Sequence, residues 1–141
     1  MILFDEFCGI ILVRLQYIIF GQRIYNLIIN ENSAEYFPEK CAVTDEKVSY
    51  SYSELVKLSS SVGTALSELI ASGDAVGIYM EKCADAVAAF FAAVYAGGFY
   101  SVLNTELPQN RLQTTVSVLN PKVIVTSESL LETAKEYFSE R

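Results

Sequence analysis

The stretch ADAVAAFFAAVYAGGFYSVL, Ala84 to Leu103, decides the fold, because it can be read in three ways. It could be a membrane span, the joint between a buried helix and a buried strand, or a glycine loop that holds phosphate. From Ala86 to Leu103 it carries no charge, which is enough length for a span. Alanine dominates it, however, so its transfer into lipid is weakly favoured, and no Lys or Arg anchor stands close behind it. For phosphate, neither G-x-G-x-x-G nor G-x-x-x-x-G-K-[ST] occurs, and the glycine pair follows a helix-like run where a phosphate loop follows a strand. The joint reading accounts for more. Ala92, Ala93 and Ala96 let a helix lie close to a sheet, Gly97 and Gly98 turn the backbone, and FYSVL supplies the next strand. It predicts Val87, Phe90, Phe91 and Val94 mostly in the core.

Working outward, AVGIYM (Ala75–Met80) is the continuous apolar run of a strand covered on both faces. PQNRLQTTVSVLNP (Pro108–Pro121) predicts a helix opened by Pro108, with Leu112, Val116 and Leu119 on one face and Asn120–Pro121 as its stop. KVIVTS is strand-like, and a last helix follows with Ser129 and Glu132 at capping-box spacing. Upstream, AVTDEKVSY predicts two short strands around the turn Asp45–Lys47. In SYSYSELVKLSSSVGTALSELIASGD, Ser51 and Glu54 form a capping box. Leu55, Leu58, Val62, Leu66 and Leu69 form the apolar stripe, and Gly73 marks the end. Strands alternating with helices of this length predict an α/β fold of mostly parallel βαβ layers, with Val76–Tyr79, Tyr100–Leu103 and Val123–Val125 as neighbouring strands.

The 141 residues, 52% apolar and 19% charged, suffice for one core. A net charge of −7 argues against nucleic acid and anionic lipid surfaces as partners. The sequence has no histidine, which removes Ser-His-Asp and Cys-His nucleophile activation. Cys8, Cys41 and Cys83 lack C-x-x-C pairing and read as reduced, packed thiols. Glu81 and Asp85 could be paired acid–base carboxylates, but their place at a strand-to-helix turn suits the helix dipole. The hydroxyls of Ser59–Thr64 lie inside the amphipathic helix and read as a solvated or back-bonded face. Residues 1–23 are the most apolar part. Asp5 and Glu6 stand where a secretion signal needs positive charge, and the run Phe7–Phe20 is short for a span and carries Arg14 and Gln16. A packed or irregular helix, or a wrongly assigned gene start, is the expectation there ahead of a membrane anchor, and the cytoplasm is the expected location.

The order of these pieces resembles the beginning of the adenylate-forming (AMP-binding) enzymes. It is most similar to nonribosomal peptide synthetase adenylation domains and D-alanine–carrier protein ligases, with acyl-CoA synthetases as relatives. SAEYFPEKCAVTDEKVSYSYSEL is similar to the family's opening, a helix ending near a proline, an A-V strand, a polar turn and an L-T-Y-x-E-L element. Tyr50, Ser51, Tyr52, Ser53, Glu54 and Leu55 stand in that element. VYAGGFYSVLNTELPQNRL resembles L-K-A-G-x-A-Y-V-P-L-D followed by Y-P-x-x-R-L, matched by Ala96, Gly97, Tyr100, Leu103, Pro108, Arg111 and Leu112. Tyr95 replaces the lysine, Phe99 an alanine, Ser101 and Val102 the V-P pair, and Asn104 the aspartate. The likeness runs from about Ile24 to Thr126.

The resemblance implies that residues 24–141 are the first part of the large N-terminal domain of an adenylating enzyme, with residues 1–23 unassigned. Such enzymes convert a carboxylic or amino acid and MgATP to an acyl-adenylate and pyrophosphate, then pass the acyl group to a phosphopantetheine thiol on a carrier protein or CoA. Their S-G-[ST]-[ST]-G-x-P-K loop, their acidic ligands for magnesium and ribose and their late lysine find no match in this sequence. No catalytic, cofactor-binding or metal-ligating residue is therefore assigned, and the chain alone is expected to be inactive. Its partners would be the downstream part of the same domain, an acid substrate and a carrier protein, with no nucleic acid or membrane. The alternative is a free-standing small α/β module serving in binding or regulation.

Overall fold

The computed structural model describes residues 30–138. The expectations for residues 1–23, for Cys8 and for the last three residues lie outside that range.

A helix whose described part is 30–36 (α1) leads through Pro38 into the antiparallel hairpin β1 (Cys41–Thr44) and β2 (Ser49–Ser51). The hairpin turn follows from Asp45, whose Oδ1 accepts the N–H groups of Lys47 at 2.7 Å and Val48 at 2.9 Å. Helix α2 (Tyr52–Ser67) starts on the expected capping box. The Glu54 N–H donates to Ser51 Oγ, and the Ser51 N–H to Glu54 Oε2 at 2.8 Å.

Three parallel strands follow, β3 (Ala75–Tyr79), β4 (Phe99–Val102) and β5 (Val123–Thr126), in spatial order β4-β3-β5. They are the three strands expected. Helix α3 (Ala84–Tyr95) joins β3 to β4, and α4 (Gln109–Leu119) joins β4 to β5. A 3₁₀ turn (Glu128–Leu130) and α5 (Leu131–Phe138) close the described chain. Every residue of β3 is buried, as its continuous apolar run requires. Val76 and Ile78 face a cluster with Ile70, Ala89 and Ala93 on the α3 side. Tyr79 faces Leu103, Leu112, Val116 and Ala134 on the α4–α5 side. Full burial of a side chain such as Leu112 contributes about 1.5–3 kcal/mol, so the two clusters account for the layering.

Four expectations are corrected. The buried stripe of α2 is Leu55, Ser59, Gly63 and Leu66, while Leu69 lies past the helix end and is 65% exposed. A Cβ on Gly63 would stand 2.6 Å from Tyr95 Cβ and 2.9 Å from the Ala92 carbonyl oxygen. Leu55 and Leu66 are buried as expected, but close contact with α3 selects Ser59 and Gly63 over Leu58 and Val62. On α3 the buried residues are Ala84, Ala86, Ala88, Ala89, Ala92, Ala93 and Val94, whereas Val87, Phe90 and Phe91 are only half-buried. Packing against both sheet and helix leaves room for methyl groups and turns the rings to the rim. Gly73 does not end α2, whose C-cap is Glu68; it sits at φ +90° in the turn before β3. Finally, Ser129 and Glu132 form no capping box. Ser129 Oγ pairs with Ser127 Oγ at 2.9 Å, and Glu132 accepts from Lys135 Nζ at 2.8 Å.

Candidate functional site

The two motif stretches meet at the ends of α3. At its N-terminus, the Ala84 N–H donates to Asp45 Oδ2 at 2.7 Å, so the hairpin turn caps this helix across 39 residues of sequence. Beside it, Tyr50 OH donates to Asp85 Oδ1 at 2.7 Å. Asp85 thus lies in the first helical turn, where the dipole favours a carboxylate, and it is committed to Tyr50. Glu81 is exposed. Three backbone donors, Ala84 first and then Lys47 and Val48, hold the Asp45 carboxyl below the usual carboxylate range. The hydrogen bond to Asp85, with partial burial, pushes the Tyr50 hydroxyl up to about 12.

At the C-terminus of α3, Gly97 has φ +81°, and the Gly97 and Gly98 N–H groups donate to the Val94 and Ala93 carbonyls at 3.0 and 2.9 Å. This double bond pattern is a Schellman cap, which needs a residue free to adopt a left-handed backbone. Gly98 answers a different need. A Cβ there would meet Ile70 Cδ1 at 2.6 Å and the Asp74 carbonyl oxygen at 3.0 Å. The Phe99 N–H donates to that same Asp74 oxygen at 2.9 Å, so the strand starts at once. The glycine pair is the joint of a helix and a strand, as the sequence argument held.

None of these backbone amides is left to hold a phosphate. Those of Gly97, Gly98 and Phe99 are spent as described. At the start of α2 the Tyr52 N–H donates to Lys40 at 3.0 Å and the Ser53 N–H to Pro38 at 3.1 Å, beside the capping box. Of the Ser59–Thr64 hydroxyls, Ser60 and Thr64 bond back to Lys57 and Ser60 carbonyls, as expected. Ser59 is the exception, fully buried with no partner for its Oγ. Among the described residues no group of three or more His, Cys, Asp or Glu side chains is placed to hold a metal ion, and no helix is long and apolar enough to cross a membrane. The glycine pair and the start of α2 therefore offer no phosphate cradle.

Several of the remaining motif residues build the framework. Pro108 caps α4, its carbonyl accepting the Arg111 and Leu112 N–H groups at 3.0 and 3.1 Å, and Leu112 and Leu103 are core. Tyr95, in the place of the family's lysine, donates its hydroxyl to Glu31 at 3.2 Å and ties α1 to α3. Burial, then the Glu31 charge, raises that hydroxyl to about 12.

Comparison with known proteins agrees with this framework. Residues 30–140 match the model of the AMP-binding enzyme family. Tyrocidine synthase 1 of Brevibacillus parabrevis is 33% identical over 111 residues, which span 78% of this chain and 10% of that protein. Among solved structures, the nonribosomal peptide synthetase FmoA3 with bound α-methyl-L-serine-AMP superposes with a TM-score of 0.70 at 26% identity, over 74% of this chain and 12% of that one. A long-chain-fatty-acid CoA ligase, so described, from Rhodopseudomonas palustris shares the fold with a TM-score of 0.72 at 16% identity, over 79% and 28%. The chain thus spans a small part of each of these proteins, and it belongs to the AMP-binding family of adenylate-forming enzymes.

Proposed function

We propose that residues 24–141 are the N-terminal part of an ATP-dependent ligase that activates a carboxylic or amino acid. In that reaction a carboxylate oxygen attacks the α-phosphorus of ATP, forming an acyl-adenylate and releasing pyrophosphate. The acyl group then passes to a phosphopantetheine thiol, with a carrier protein or CoA as partner. The observation that carries this reading is the match to the family over residues 30–140 by a chain that spans a tenth of tyrocidine synthase 1. This chain contributes the first βαβ layers, and MgATP chemistry belongs to residues that it does not contain. Unpaired Cys41 and Cys83 suit a cytoplasmic setting.

The free-standing module has one observation in its favour, since both faces of β3 are covered by clusters of this chain's own residues. Acid-dependent exchange of labelled pyrophosphate into ATP separates the two. The 141-residue chain is expected to show none with amino or fatty acids, and measurable exchange overturns the assignment of the chemistry to other residues. In-frame coding sequence for S-G-x-x-G-x-P-K downstream of codon 141 would support the ligase; a cooperative melt with specific small-molecule binding would support the module.

A further inference from the structure

We draw no further inference here: the strongest candidate, the exposed apolar face that Tyr100 and Val102 form on the edge strand β4, carries none because nothing in the structure shows what covers it.

Discussion

Gly73 donates its N–H to the carbonyl of Gly97 at 2.9 Å, and both residues hold positive φ, +90° and +81°. The turn that enters β3 and the cap that ends α3 are thereby fastened together, which sets β3 and β4 side by side. Nothing lies within 4 Å of a Cβ on Gly73, and only Ser72 lies near one on Gly97, at 3.7 Å or more. The requirement at both is therefore conformational. Gly97→Ala should cost about 1–2 kcal/mol.

Gly97→Asn should cost less than Gly97→Ala, because asparagine tolerates the left-handed region. At Gly98 the order reverses. The obstacles there are backbone oxygens of Asp74 and Ala93 at 3.0 and 3.3 Å, so the larger side chain does more harm and Gly98→Ala already costs about 1–3 kcal/mol. Denaturant melts of Gly97→Ala, Gly97→Asn, Gly98→Ala and Gly98→Asn check both orders. If the pair held phosphate instead, amide shifts at Gly97–Phe99 would move when ATP is added, and none is expected.

The interface of α2 with α3 predicts opposite effects from two alanines. Gly63→Ala gains roughly 1 kcal/mol of helix propensity, yet its methyl would sit 2.6 Å from Tyr95 Cβ and 2.9 Å from a backbone oxygen, neither free to swing away. Overpacking of about 1–3 kcal/mol wins, and the protein is destabilised. Ser59→Ala removes a fully buried hydroxyl that has no partner. An unsatisfied group of this kind costs about 1–3 kcal/mol, so this variant should melt higher than the parent.

Most of the architecture was legible because apolar runs and stops report the backbone directly. AVGIYM, the glycine pair, the Ser51–Glu54 box and the Asp45 turn each act through residues a few positions apart. What escaped was tertiary. Nothing in the periodicity of α2 says that Gly63 and Ser59 will outrank Leu58 and Val62, because that choice depends on how closely α3 approaches. The Asp45–Ala84 and Tyr50–Asp85 bonds join elements 39 and 35 residues apart and leave no local pattern. The Ser129–Glu132 spacing misled for a related reason, since Ser127 and Lys135 offered both side chains other partners.

Those two long-range bonds predict opposite pH signatures. The folded Asp45 carboxyl titrates below its unfolded value near about 3.9, so its contribution is present above that pH and fades as pH falls through the lower folded value. Asp45→Asn should lower the melting temperature at neutral pH and converge on the parent as the pH falls below the lowered folded value. Glu54 is also held low, by Ser51, and keeps its own acid dependence in that variant. Tyr50 runs the other way. Its hydroxyl is raised to about 12, so its contribution is full below an unfolded value of about 10 and is lost as pH rises through 12. Tyr50→Phe should cost about 0.5–1 kcal/mol at neutral pH, the modest worth of a solvent-accessible bond, and should lose this alkaline limb. Parallel pH–melting curves for parent and variants would remove both assignments.

The last expectation concerns α3, where the sequence pointed to its phenylalanines and the structure points to its alanines. A closed site would make Phe91→Ala cost about 3–5 kcal/mol. Phe91 is half-buried, so part of its ring is already in water and the cavity term largely vanishes; about 1–2 kcal/mol is expected. Ala92 is 0% exposed, and its carbonyl faces Gly63 across the interface. Ala92→Leu must push α2 away or force the new side chain off its rotamers, at about 1–3 kcal/mol or more. Adding atoms to α3 should thus harm the fold at least as much as removing the largest ones. Chemical denaturation of Phe91→Ala and Ala92→Leu decides it: a Phe91→Ala loss clearly exceeding that of Ala92→Leu would mean that the rings, and not the methyl groups, hold this helix to its neighbours.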